Sequence, residues 1–349
     1  MNNKLTKETT MNKITKLGVS ALCGSLAAVS SANAGELTVT GGVDMSWISL
    51  DGATTGNPIG IGSNLSFSGS GELDNGWGVA LSVAMDNQDA YSNTNVTVTI
   101  PELGDVKINQ GVSGTGIDRI DDVTPNVWEE AYAVGAGAGI NTVAGGSAGS
   151  SIEFTPSGML PDGVTGRFSY TPDAGGSGAA DKGSSGNGTD NKGSGYDITL
   201  SLTDAILGVP GLKLDLGIAD IALDSTKTGF DGDQEEMTYA ISYAAGGFTV
   251  GYQYSEEDLG RSASEQEYEN TGYGITFNVN DDLSVGYNNY ESKQTSATNV
   301  TTEASSMQVA YSMGGASIRL AMGDVDNAAY QTTSTYDKEV TTLSVSLAF

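Results

Sequence analysis

Few patterns restrict a chain as strongly as strict two-residue alternation repeated from end to end. The last residues show it plainly: Leu343, Val345, Leu347 and Phe349 alternate with Thr342, Ser344, Ser346 and Ala348. In an extended strand successive side chains point to opposite faces, so this segment has one oily face and one small, polar face. Segments of the same kind recur along almost the whole chain, and sixteen can be marked. The first sets Leu37, Val39, Val43, Met45 and Trp47 against Thr38, Thr40, Asp44 and Ser46. The third sets Trp77, Val79, Leu81, Val83 and Met85 against Ala80, Ser82 and Asp86. The sixth runs from Ser151 to Thr155, and the seventh sets Val164, Phe168 and Tyr170 against Thr165, Arg167 and Ser169.

The connections alternate too. Short ones fall at Asp74–Gly76, Pro101–Asp105, Gly246, Asp281 and Gly314; long polar ones fall at Asp86–Asn93, Ser225–Glu235, Glu256–Glu267, Glu291–Glu303 and Asp324–Asp337. Amphipathic strands joined by turns that are short at one end and long at the other predict a transmembrane antiparallel β-barrel of about sixteen strands. Its short turns would be periplasmic and its long loops external. A soluble sandwich has no reason to alternate its loop lengths so regularly. Hydrocarbon offers no hydrogen-bond partner, so the sheet is expected to close on itself. A barrel this wide leaves an aqueous channel, which suits inward faces of Ser, Thr, Gly and Asn.

The amino terminus reads as a targeting segment. Lys13 and Lys16 precede the apolar run Leu17 to Val29, and Ala32-Asn33-Ala34 offers a cleavage site. The expected division is a secretory signal at residues 1–34 and a barrel domain at residues 35–349, with Met1 and Met11 both available as starts. The apolar run is too short to span a bilayer as a helix.

Composition removes whole classes of chemistry. There is no histidine and a single cysteine, Cys23, inside the signal segment. Disulfides, Cys or His metal sites and histidine-dependent nucleophilic catalysis are therefore not expected, and the chain does not read as an enzyme. A net charge of −28 makes it a poor partner for nucleic acid and favours cations in any pore it lines. A surface adhesin or β-solenoid fibre is the alternative, but no fixed repeat period supports one. Aromatics at strand ends, Trp77, Phe248 and Phe349, are expected in the girdle facing outer-membrane lipids.

Several segments in order carry a likeness: the signal ending Ala32-Asn33-Ala34, the opening strand Leu37-Thr38-Val39-Thr40-Gly41-Gly42-Val43, the run Leu103-Gly104-Asp105-Val106-Lys107-Ile108, and the terminal Phe349. Taken together, the chain resembles the general porins of Gram-negative bacteria, most nearly the alphaproteobacterial type. The resemblance implies a homotrimeric, water-filled outer-membrane channel for passive diffusion of ions and small hydrophilic solutes. It implies a third external loop folded into the lumen, and a terminal phenylalanine read by the barrel assembly machinery.

The segment from about Gly111 to Gly149 stands where that third loop would be. Its Asp118, Arg119, Asp121, Asp122, Glu129 and Glu130 are the expected constriction. Grouped carboxylates in a narrow passage concentrate cations and repel anions. By alternation Arg167, Lys213 and Arg319 face the lumen and are expected to oppose the acidic loop, giving a transverse field for dipolar solutes. Asp121, Asp122 and Glu130 also supply the hard oxygen ligands calcium takes, although no loop matches an EF-hand.

Overall fold

The computed structural model describes residues 34–51, 56–87, 92–146, 150–175, 192–223, 229–230, 232–262, 267–295 and 299–348. The signal segment up to Asn33, with Cys23, and the terminal Phe349 lie outside the described residues. Sixteen strands form among the described residues. They are β1 (Ala34–Asp51), β2 (Ile59–Glu72), β3 (Gly78–Asp86), β4 (Asn93–Ile100) and β5 (Gly104–Gln110). Then come β6 (Ser150–Pro156), β7 (Val164–Thr171), β8 (Lys192–Leu202), β9 (Leu212–Leu223), β10 (Gln234–Ala245) and β11 (Phe248–Asp258). The series ends with β12 (Glu267–Asn278), β13 (Leu283–Thr295), β14 (Val300–Met313), β15 (Ala316–Asp326) and β16 (Lys338–Ala348).

Every strand pairs antiparallel with its neighbours in sequence, and β16 closes the barrel on β1. The seam runs from Gly42↔Ala348 to Asp51↔Glu339 without a register shift. Closure is what lets such a sheet sit in lipid, because each unpaired backbone group in hydrocarbon would cost several kcal/mol. No helix among the described residues is long and apolar enough to cross a membrane.

Alternation decides which way each residue points. On β10, Gln234, Glu236, Thr238 and Ala240 are buried inward while Met237, Tyr239, Ile241 and Tyr243 are exposed outward. Phe248 opens β11 on the outward face and stacks on Phe277, ring centroids 4.3 Å apart. Trp77 stands in the turn just before β3, its backbone N–H donating to the Asn75 Oδ1. One short connection differs from the expected turn: Asp204–Leu207 coil into a single helical turn, ended by Gly208 in the left-handed conformation at φ 71°.

The outer face is uneven around the barrel. Among the described residues its tyrosines, including Tyr170, Tyr196, Tyr239, Tyr252, Tyr273, Tyr287 and Tyr311, are confined to β7–β14. The strands from β9 onward also end externally in outward carboxylates such as Asp220, Glu235, Asp258, Glu303 and Glu339, with Asp51 completing the row on β1. On β2 the corresponding external end carries Ile59 and Ile61, 64% and 70% exposed.

The outward Ile275 and the lumen-facing Ser82 test this assignment. Ile275→Lys should lower stability in lipid vesicles by about 1 kcal/mol or more, since lysine on the lipid face costs about 2–4 kcal/mol at the midplane and less toward the interface. Ser82→Lys should cost little. Urea unfolding of both variants in the same vesicles checks the difference.

Candidate functional site

The segment joining β5 to β6 is the largest feature inside the barrel. From residue 111 it turns inward, forms a 3-10 turn at Gly116–Ile120, and runs along the inner wall before returning. Its outgoing limb passes β9, where Ile117 and Ile120 pack with Ala219 and with Val143 of the return limb. Further on, Val123 donates its N–H to Gln253 on β11, Trp128 to Gln308 on β14, and Thr342 on β16 donates to the Val134 carbonyl. Gly135 lies against Ile48 of β1. The return limb is bound from the wall as well. Lys338 donates to the carbonyls of Ala136 and Gly137, and Asn270 to that of Asn141; Glu236 accepts the N–H groups of Ala144 and Gly145. Gly135, Gly137, Gly139 and Gly145 take positive φ, the backbone freedom that lets the limb fold back.

The expectation of a uniformly wet lumen therefore needs correcting. Over β9–β16 the inner face packs against this loop. Ala131, Val134, Ala136 and Ala138 bury against Ala304, Ala321, Val325 and Val340. Alternation shows that these wall residues face inward, but not that chain covers them. The last external loop joins in: Tyr330, just after β15, accepts the Asn141 N–H at 2.9 Å and lies 2.7 Å from the Ser292 hydroxyl. Asn327, Ala329 and Tyr330 hold positive φ to do so.

The six loop residues marked from sequence do not act as one group. Arg119 turns to the wall and binds Glu153 of β6 at 2.7 and 2.9 Å; Glu153 also accepts the Gly116 N–H. Lys107 of β5 and Arg167 of β7 share this neighbourhood, so Lys107, Arg119 and Arg167 form a basic cluster around Glu153. Lys107 lies between the outward Val106 and Ile108 and could have been found by the same alternation. Lys213 of β9 pairs with Asp215 at 2.8 Å. Arg319 of β15 reaches Asp44 of β1 at 3.6 Å and lies near Glu129, so it belongs to the acidic side of the lumen.

Asp121, Asp122 and Glu130 come together. Asp122 shares side-chain hydrogen bonds with both Asp121 and Glu130. Thr142 of the return limb donates to Asp121, and Asn126 donates to Glu130. Carboxyls bonded to one another must hold protons between them, and like charges this close cannot all ionise. Burial, followed by the charge on Asp122, pushes Asp121 and Glu130 up to about 8. Burial also raises Asp122, Asp118 and Glu129. The cluster thus carries less negative charge at neutral pH than its composition implies. Among the described residues, no group of three or more carboxylates is arranged to hold a metal ion.

Comparison with known proteins adds the family. The profile described as Gram-negative porin matches residues 18–328. Among curated proteins no relative matches the sequence. Solved structures do match in fold. OmpF of Salmonella typhi in complex with daunomycin is 12% identical, covering 90% of this chain and 98% of that one, with a TM-score of 0.64. An anion-selective porin from Comamonas acidovorans is 13% identical, covering 90% and 99%, with a TM-score of 0.64. Outer-membrane OmpT of Vibrio cholerae is 11% identical, covering 92% and 99%, also at 0.64.

The carboxyl cluster has a pH signature. Its members bind protons more tightly when folded than when unfolded, where values of 3.8 and 4.5 apply. Its contribution to stability is therefore fully present below about pH 4 and falls as pH rises toward about 8. Melting measured in detergent should show this slope between about pH 5 and pH 9. The double variant Asp121→Asn, Glu130→Gln should flatten it.

Proposed function

Because the chain belongs to the Gram-negative porins, and is therefore a passive outer-membrane diffusion channel and not an enzyme, we propose that the loop between β5 and β6 lines its narrowest passage and makes it prefer cations. The observation that carries this reading is the loop's course inside the barrel, bound to the wall from β8 round to β1. Solutes would then pass between its free side and the inner faces of β2–β5. That opposite wall offers Asn64, Ser66, Ser82, Asn95 and Thr97, polar groups suited to a hydrated path.

Charge sets the sign. The likeness to an anion-selective porin means that fold alone does not give selectivity, so this chain's own residues must. Asp118, Asp122 and Glu129 are on the loop, Asp44 and Asp86 are on the walls, and the whole chain carries −28. Fixed carboxylates in a confined, poorly screened passage raise the local cation concentration. The basic cluster of Lys107, Arg119 and Arg167 stands on the β5–β7 side. Together with the acidic segment, it would orient dipolar solutes, amino acids among them, across the passage. Calcium drawn to Asp121, Asp122 and Glu130 would belong to the diffuse counter-ion cloud and not to a coordination site, because the three carboxylates are not arranged to ligate one ion. A closed barrel within the porin family leaves the adhesin or fibre alternative without support.

The uneven outer face supports a homotrimer. Tyrosine belts mark surfaces that meet lipid headgroups, and β1–β6 have no outward tyrosine among the described residues. Ile59 and Ile61 remain apolar at a height where other strands carry carboxylates, which suits burial against a second copy. Phe349 would be the residue the assembly machinery reads.

Reversal potentials across a salt gradient test the selectivity. The wild-type channel should prefer cations, more strongly at about pH 9 than at about pH 6 as the loop carboxyls lose protons. Asp121→Asn with Asp122→Asn should weaken the preference and remove most of its pH dependence. A wild-type channel that prefers anions, or a double variant identical to wild type, would sink this assignment.

A further inference from the structure

The wall behind the loop is built to receive it. Gln253, buried on β11, takes the Val123 N–H at 2.8 Å on its Oε1. It gives its Nε2 to the carbonyls of Ile120 at 2.9 Å and Asp121 at 2.7 Å. Gln308, buried on β14, repeats the device six residues further along the loop. Its Oε1 receives the N–H groups of Val127, Trp128 and Glu129, and its Nε2 returns to the Glu129 carbonyl. A primary amide carries both a donor and an acceptor, so one side chain can grip a peptide by both polar groups.

Each glutamine has a glycine directly across from it in the sheet. Gln253 pairs with Gly272 on β12, and Gln308 with Gly286 on β13. Gly251 and Gly274 pair with one another between them. These glycines face inward, and the loop occupies the space their side chains would fill. A Cβ on Gly274 would stand 2.0 Å from the Pro125 carbonyl oxygen, and one on Gly251 2.5 Å from Pro125 Cδ. On Gly286 it would stand 2.6 Å from Val127 Cγ2, and on Gly272 2.8 Å from Thr124 Cγ2. Backbone at 2.0 Å cannot be accommodated by a side-chain rotation; the loop itself must move. Gly78, on the inner face of β3 away from the loop, shows the contrast: a Cβ there meets Thr99 at an ordinary 3.4 Å.

We propose that Gly251, Gly272, Gly274 and Gly286, with Gln253 and Gln308, form a seat whose depth sets the free width of the channel from behind the loop, without contributing charge to the passage. These are positioning residues: the solute meets the loop, and the seat decides how far the loop stands from the wall. The inference rests on the reading that this loop lines the narrowest passage.

Single-channel recording in planar bilayers tests it. Gly274→Ala and Gly286→Ala push the loop toward the lumen and should each lower conductance by about a fifth or more, with the sign of selectivity kept. Gly69→Ala, on the outward face of β2 where a Cβ meets nothing within 4 Å, should conduct as wild type. Replacing Gln253 and Gln308 together by leucine frees the loop and should split the steady current into several fluctuating levels. Should one glycine variant fail to assemble, Gly323→Ala replaces it, since its Cβ would stand 2.6 Å from Val134 Cγ2. Wild-type conductance in assembled glycine variants, or a steady wild-type current in the leucine pair, would overturn the seat. If the asparagine pair at 121 and 122 still shifts the reversal potential in that event, the loop lines the passage and only the seat is wrong. If it does not, the loop reading itself has failed.

Discussion

A peptide N–H or carbonyl in hydrocarbon has no water to bond with, and every other feature of this molecule is arranged around that fact. Helices satisfy it one segment at a time; a sheet satisfies it only when its two edges meet. Here they meet between β1 and β16, through ten register pairs from Gly42↔Ala348 to Asp51↔Glu339. Once closed, the sheet divides all its side chains into two populations, and alternation along each strand follows. A barrel of this circumference cannot fill its interior with its own side chains. The loop after β5 occupies part of that interior, and its covering of β9–β16 leaves the opposite wall to water.

Inside, charge is handled by pairing and proton sharing. Arg119 neutralises Glu153, Lys213 neutralises Asp215, and Arg319 faces Asp44. Among the described residues no ion pair joins Asp121, Asp122 or Glu130 to a base, and these carboxyls share protons instead; Thr142 of the return limb donates to Asp121 and ties the two limbs together. The same carboxyls that would draw cations thus help fasten the loop, and the two roles pull in opposite directions as pH rises. Full ionisation gives the larger field and the weaker fastening.

The strands were legible because lipid outside and water inside impose a period of two on each of them. Tyr239 and Ile241 could be placed outward, and Thr238 and Ala240 inward, from their neighbours alone. Turn lengths gave the polarity of the barrel for the same reason. The helical turn at Asp204–Leu207 leaves no trace in the sequence because a four-residue coil has no periodicity. The loop's course was illegible for a deeper reason. Gln253 and Val123 are 130 residues apart, and Gln308 and Trp128 are 180 apart, so nothing local records their meeting. Alternation puts both glutamines on the inner face, where they look like any other hydrated polar group. Adjacency in sequence groups Arg119 with its acidic neighbours, whereas the turn at Gly116–Ile120 points it to Glu153.

The grip of Gln253 and Gln308 joins an uncharged amide to uncharged peptides. Such bonds feel little of the ionic atmosphere that weakens exposed ion pairs. A gatepost fastened in this way keeps its position whether the surrounding water is fresh or briny. On the proposed reading of this loop, a bacterium moving between the two would find the bore of the passage constant, while the ions drifting through it feel a stronger or fainter pull.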